Sequence, residues 1–406
     1  MLIYSLGALF LKGISFFLIP LYTRMLHPSD YGNLELLNTF TSILEIVCSL
    51  GLVQFLYMDY FHHEKEGRVK LMNTILSIYI GLSTLLYVIT AIFIYFYHER
   101  TLGSLSLYLI YFGILTTYLN FFQGIYILVL KFSERAKAVT ILQIAIGLLS
   151  MAMNIYFVYY LRTGISGIIW ANLISMMISL IIIGSSLGSK IKLFNFTWDK
   201  EQIKDILKLS LPFVPGALSY WFLNSANRWI LLHYGTLVDV GLFSLAIKFT
   251  SIFDPILIQP FLNSNNPRTL RQFSEGNYVQ NFRYLYPGLI IFFVLMGFVI
   301  RQIAEWMIDP SYFPALPLIP VLVSGISLSI LAQVTALLLM FRKKVRQTFT
   351  SIVAGSFMSV LASFLLVPRY GSMGAAIGIV MGNFFWCGFI YLFYTQEKKK
   401  VLSNQK

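Results

Sequence analysis

Apolar runs of about 20 residues or more, separated only by short polar breaks, follow one another along almost the whole of this 406-residue chain. At 1.5 Å per residue, a run of that length crosses the roughly 30 Å hydrocarbon layer of a bilayer as a helix. No water is present there to answer backbone N–H and C=O groups, so crossing segments must satisfy them internally. Composition points the same way: 57% of the residues are hydrophobic and 12% are charged, against about a quarter charged in ordinary soluble domains. The sequence is that of an all-α polytopic membrane protein, and a water-soluble enzyme is excluded.

Twelve transmembrane helices are expected, at 3–25, 33–58, 71–96, 105–130, 139–161 and 165–188, then at 206–231, 238–262, 284–306, 315–341, 347–367 and 373–395. The organisation that follows is an N-terminal six-helix lobe (1–188), a cytoplasmic linker (189–205), a C-terminal six-helix lobe (206–395) and a basic cytoplasmic tail (396–406). In the linker, Phe194, Phe196 and Trp198 alternate with polar residues, as suits a membrane interface. The first span lacks a basic leader and a small-residue cleavage site and carries Lys12, so it is read as a mature helix rather than a secretory signal.

The formal charge of +13 is topological. Most of the Lys and Arg residues follow even-numbered spans or lie in the C-terminal tail, whereas the opposite loops hold only Arg24, Arg100, Arg162 and Arg369. The positive-inside rule then places both termini in the cytoplasm and the chain in the cytoplasmic membrane, with membrane lipid as its surroundings and no nucleic-acid partner. Cys48 and Cys387 both sit inside apolar runs, so no disulfide framework, zinc site or iron–sulfur site is expected. No Walker loop, GxSxG elbow or GxGxxG fingerprint occurs, and no cofactor or metal is called for.

An internal repeat links the two halves. Residues 30–45 read DYGNLELLNTFTSILE and residues 239–254 read DVGLFSLAIKFTSIFD, an offset of 209. Asp30, Gly32, Leu36, Phe40, Thr41, Ser42 and Ile43 recur as Asp239, Gly241, Leu245, Phe249, Thr250, Ser251 and Ile252, and acidic Glu45 falls on acidic Asp254. A weaker echo pairs Arg162-x-Gly-x-x-Gly167 with Arg369-x-Gly-x-x-Gly374. Both relate helices six spans apart, which preserves orientation. The expectation is two parallel-repeat lobes around a central cavity, with substrate handled between them.

A charge near the bilayer centre costs at least about 2.5–3.5 kcal/mol, so each needs a partner, water or a function. Lys12, Arg228 and Lys248 have no acidic neighbour one helical turn away and are candidates to line a cationic, substrate-binding cavity. A phosphate or pyrophosphate would suit them as counter-ion. Glu45 and Asp254 have two readings, charge pairing with those cations or carriage of a proton or sodium ion, and the sequence leaves both open. Glu35, Arg301 and Glu305 lie nearer the span ends and carry no assignment. Pro255 and Pro260 are expected to bend or unwind span 8 and to act in gating, since each removes a donor and clashes one turn back. Gly374, Gly378 and Gly382, every fourth residue of span 12, permit close helix packing.

Phe16-Phe17-Leu18-Ile19-Pro20-Leu21-Tyr22-Thr23-Arg24, followed by Pro28-Ser29-Asp30-Tyr31-Gly32, resembles the start of bacterial polysaccharide flippases of the multidrug/oligosaccharidyl-lipid/polysaccharide exporter superfamily. Leu211-Pro212-Phe213-Val214-Pro215, Asn224-Ser225-Ala226-Asn227-Arg228-Trp229-Ile230-Leu231 and Val240-Gly241-Leu242-Phe243-Ser244-Leu245-Ala246 look like that family's seventh and eighth helices. The chain has Asn227 where the family often has Asp. The resemblance implies a non-enzymatic flippase moving an undecaprenyl-pyrophosphate-linked oligosaccharide repeat unit across the bacterial inner membrane by alternating access, for O-antigen or other surface polysaccharide. A polysaccharide polymerase is a candidate partner. Two other readings stand beside it: a multidrug antiporter of the same superfamily, and an O-antigen polymerase-type membrane enzyme, which the short outer loops disfavour.

Overall fold

The computed structural model describes residues 2–101, 105–133, 135–187, 199–275 and 282–403. Regular structure among them is helical throughout: α1 (Leu2–Met25), α2 (Pro28–Cys48), α3 (Leu52–Asp59), α4 (Lys65–Ile78), α5 (Thr84–Thr101), α6 (Leu107–Phe132), α7 (Ala136–Asn154) and α8 (Ile165–Leu187). The second half contributes α9 (Lys200–Ser210), α10 (Val214–Asn224), α11 (Asn227–Tyr234), α12 (Leu237–Thr250), α13 (Gln259–Ser274), α14 (Phe282–Met307), α15 (Leu318–Phe341) and α16 (Val345–Ser403). Residues 189–198 of the expected linker, including Phe194, Phe196 and Trp198, lie outside the described residues.

Several spans are not single straight helices. Among the described residues nine helices are long and apolar enough to cross a bilayer, and α2 with α3, bent by 50° between them, makes a tenth. α1, and the division of α16 at Gly371, where φ is +52°, bring the crossing segments to the expected twelve. Gly164, the counterpart of Gly371 in the weaker sequence echo, also has a left-handed backbone, at φ +62°. A glycine at positive φ therefore marks both the break between the fifth and sixth spans and that between the eleventh and twelfth.

By mutual contact the chain divides into two compact units, Met1–Gly7 with Leu36–Leu218 and Ala8–Glu35 with Ser219–Lys406. Most of α1 and the first turns of α2 are thus counted with the second unit, and α9 with the first. In the first unit Thr74 Oγ1 donates to Gln202 Oε1 on α9 at 3.3 Å, and Tyr79 stacks on Phe121 with ring centroids 3.6 Å apart. A side chain on Gly51 would land on the Ser210 carbonyl at the end of α9.

The second unit contains the repeat's central contact. α2 and α12 start alike: the His27 N–H donates to Asp30 Oδ2 at 3.3 Å, and the Thr236 N–H donates to Asp239 Oδ2 at 2.9 Å. In each case a carboxylate in the first turn answers a backbone donor that the helix cannot. The two helix starts then meet at their equivalent glycines. A Cβ on Gly32 would collide with the Leu237 carbonyl, and one on Gly241 would collide with the Pro28 carbonyl. Positions 28 and 32 map onto 237 and 241 by the repeat offset, so the contact is self-complementary about a local two-fold axis.

Apolar side chains lie both inside and outside: Phe243, Phe249 and Leu52 are fully buried, while Trp306, Phe96 and Ile141 face outward, where lipid would cover them. Ser359 and Ser363 are also fully buried, where small residues let backbones approach. Gly378 and Gly382 press against Ser359, and Ser359 Oγ donates to the Leu223 carbonyl at 3.0 Å. At the break between α14 and α15, the Ser311 N–H and hydroxyl donate to Asp309 Oδ1 at 3.0 and 2.7 Å. They hold that carboxyl below the usual carboxylate range.

Gly241→Ala is expected to lower the thermal unfolding temperature in detergent, a loss of roughly 1–3 kcal/mol from overpacking a backbone contact. Gly184→Ala, where nothing stands within 4 Å of the added carbon, should leave that temperature unchanged or slightly raised.

Candidate functional site

Glu35 lies one turn beyond the Gly32 contact on α2, and it faces two cations. α11 opens with Asn227 and Arg228, and the Arg228 guanidinium is fixed on three sides. Its Nε donates to Ser244 Oγ at 2.8 Å, its Nη1 donates to the Asn224 carbonyl at 3.4 Å, and its Nη2 lies 3.8 Å from Glu35 Oε2. Lys248 on α12 places its Nζ 3.7 Å from Glu35 Oε1. The side chains of Glu35 and Arg228 are each 8% exposed, whereas that of Lys248 is 35% exposed. Among the described residues one carboxylate therefore serves both cations, and Lys248 is the one of the two that an incoming molecule can reach.

Sequence reasoning left Glu35 without an assignment, because its partners lie far along the chain. A signal was nevertheless present in the repeat. Glu35 and Ser244 are 209 apart, and both contact Arg228. Of the three candidate cations, Arg228 and Lys248 are brought together by Glu35. Lys12 falls on α1, and its side chain lies outside those the structure describes.

The repeat-related carboxylates are each answered by an amide. Asn120 Nδ2 donates to Glu45 Oε1 at 3.0 Å in the first unit, and Gln259 Nε2 donates to Asp254 Oδ1 at 3.1 Å in the second. Asp254 begins a π-helical turn, Asp254–Ile258, that separates α12 from α13. Pro255 is the second residue of that turn and Pro260 the second residue of α13. Each lacks the N–H that would continue the ladder, and a widened turn is how the helix absorbs the loss.

Each unit also contains one of a matched pair of cavities lined by apolar as well as polar side chains. That of the second unit, about 310 Å³, is lined by Asp254, Asn224, Ser329, Gln333 and Asn383 among others. That of the first, about 290 Å³, is lined by Thr117, Asn120, Asn172, Ser175 and Met176 among others. Thr117 and Asn120 correspond to Ile326 and Ser329 at the offset of 209, and Asn172 and Met176 to Ile379 and Asn383 at the offset of 207 set by the turn echo. The duplicated helices thus build equivalent cavities whose linings have diverged. Among the described residues no group of His, Cys, Asp and Glu is arranged to hold a metal ion.

Removing one partner of a buried ion pair strands the other charge, at a cost of about 3–5 kcal/mol. Glu35→Ala is accordingly expected to lower the unfolding temperature in lipid nanodiscs more than the double change Glu35→Gln with Arg228→Met does. Equal losses in the two proteins would show that the pair contributes packing rather than charge compensation.

The comparisons with known proteins agree with this architecture. The family described as polysaccharide biosynthesis protein matches residues 1–265. No curated protein matches. Among solved structures, the chain is similar to an inward-facing multidrug resistance MATE family transporter of the MOP superfamily, with TM-score 0.76, 17% identity and coverage of 97% of this chain and 96% of that one. The outward-facing conformation of such a transporter aligns with TM-score 0.62 and 18% identity over 98% and 95% of the two chains. A MOP superfamily transporter from Pyrococcus furiosus, described as having a binding pocket of reverse polarity, aligns with TM-score 0.60 and 17% identity over 100% and 96%. At these identities the likeness is one of fold, whereas the family match spans well over half of the sequence. The chain belongs to the polysaccharide biosynthesis protein family and is a multi-pass membrane protein with the fold seen in transporters of the MOP superfamily.

Proposed function

We propose that this protein is a transporter, a flippase for an undecaprenyl-pyrophosphate-linked oligosaccharide repeat unit, carrying it from the cytoplasmic to the outer leaflet of the bacterial inner membrane by alternating access. The observation that carries the reading is the part-exposed Lys248 ammonium, which shares the Glu35 carboxylate with a buried arginine. A membrane-embedded, part-exposed ammonium favours an anionic headgroup, and a pyrophosphate offers it several acceptor oxygens. The polysaccharide family match supports the same substrate class. Both termini are cytoplasmic in this proposal, and a polysaccharide polymerase acts on the delivered unit.

Glu45 and Asp254 are assigned to coupling by a proton or sodium ion. Their amide partners can remain hydrogen-bonded to either a carboxylate or a carboxylic acid. Pro255 and Pro260, beside the widened turn, are assigned to gating.

A multidrug antiporter is the second reading, favoured by the fold neighbours named as multidrug resistance transporters. An organic cation would be repelled by Lys248 and would have to bind elsewhere.

In cells deleted for this gene, the lipid-linked repeat unit is expected to accumulate on the cytoplasmic face with loss of surface polysaccharide. Complementation with Lys12→Gln plus Lys248→Gln should restore the protein to the membrane but not the polysaccharide. Full surface polysaccharide in the double variant would remove the charge assignment. Unchanged polysaccharide with altered drug susceptibility in the deletion strain would favour the antiporter.

A further inference from the structure

We infer that the cavity of the second unit is a carbohydrate subsite, holding the sugar ring directly attached to the pyrophosphate; this rests on the flippase reading above. The argument begins with the hydrogen-bond inventory. Asn224 Nδ2 donates to the Tyr220 carbonyl at 3.0 Å, Gln333 Nε2 to the Ser329 carbonyl at 3.4 Å, and Asn383 Nδ2 to the Ile379 carbonyl at 3.0 Å. Ser329 Oγ donates to the Ile326 carbonyl at 2.8 Å. Each side chain thus spends one donor on its own helix a turn back. What it keeps is an acceptor oxygen and, for each amide, a second N–H.

That remainder discriminates among ligands. An anion needs donors and meets the Asp254 carboxylate instead. A cation held at Asp254 would engage that end of the cavity and leave the remaining amide N–H groups unanswered, so a coupling ion there does not account for the rest of the lining. A neutral polyhydroxyl is donor and acceptor at every hydroxyl and matches a mixed inventory. Tyr220 adds an aromatic face on which the apolar side of a sugar ring can rest. The cavity, at about 310 Å³, is at the small end of the roughly 300–1,000 Å³ typical of ligand sites. It suits a single ring rather than a whole repeat unit.

Placement supplies the second, independent strand. Ser251, which lines the cavity, donates its hydroxyl to the backbone carbonyl of Lys248 at 2.8 Å, so the cavity lies within one helical turn of the residue whose ammonium reaches Glu35. In a lipid-linked oligosaccharide the first sugar is bonded to the pyrophosphate, so an anionic subsite and a hydroxyl-binding subsite must be neighbours.

The test uses the full-length protein in nanodiscs and two probes, a short prenyl pyrophosphate and the same lipid carrying one hexose or N-acetylhexosamine. Wild type should bind the sugar-bearing probe more tightly, by roughly three- to tenfold for one or two net hydrogen bonds. Gln333→Leu should erase that increment and leave the affinity for the bare lipid unchanged, with Ser329→Ala as a second, smaller change should the first variant fold poorly. Lys248→Gln should weaken both probes alike. Binding of both lipids by wild type with no sugar increment, or an increment that survives in the variants, overturns the subsite alone. Failure of wild type to bind either lipid overturns the flippase reading with it. Loss of sodium binding rather than of the sugar increment in Gln333→Leu would give the cavity to the coupling ion and overturn the proposal.

Discussion

Inside a bilayer there is no solvent to answer a buried charge, so another part of the chain must answer it. Arg228 shows how far that constraint reaches. A guanidinium at such depth is tolerable only with its donors engaged and its charge balanced. The balance comes from Glu35, a serine hydroxyl and a carbonyl. To hold those partners, the starts of α2, α11 and α12 must lie together. The side-chain-free meeting of Gly32 with Gly241 lets α2 and α12 approach closely enough. Local capping, close packing and charge compensation are three aspects of one arrangement.

The number of spans, their approximate positions and the internal duplication were legible in the sequence, because hydropathy is averaged over a whole helix and tolerates local irregularity. The irregularities themselves were only partly legible. The break in span 8 announced itself through Asp254-Pro255 and Gln259-Pro260. The π-helical turns Tyr79–Ser83 and Ile155–Tyr160 contain no proline and leave no comparable mark. The sorting of α1 and the first turns of α2 with the second unit depends on contacts between distant segments, which no window along the chain can report.

The site was legible as an inventory of charges and illegible as a set of pairs. Arg228 and Lys248 stood out because nothing one turn away could neutralise them. Glu35 did not, because it sits near a span end where a carboxylate is ordinarily unremarkable. The cavities were invisible for a different reason. Asn224, Gln333 and Asn383 are single polar residues on apolar helices, and such residues serve internal hydrogen bonding as often as ligand binding. Only after folding does each amide turn one group to its own backbone and leave another facing a shared space. The two halves of the sequence have since parted in character: Asn383 in the second stands where the first has Met176, and Glu35 in the first stands where the second has Ser244.

The contact of Gly32 with Gly241 also accounts for the place where the duplication is still readable. Over most of its length each copy of the repeat answers only to its own neighbours, and the copies can drift apart independently. Where the copies touch each other, the fit has the character of a handshake: a bulkier residue on either side displaces the other's backbone, and a shift in one capping turn changes the crossing that both share. Substitutions there are filtered twice, once by each copy, and the likeness between residues 30–45 and 239–254 is the trace of that mutual restraint.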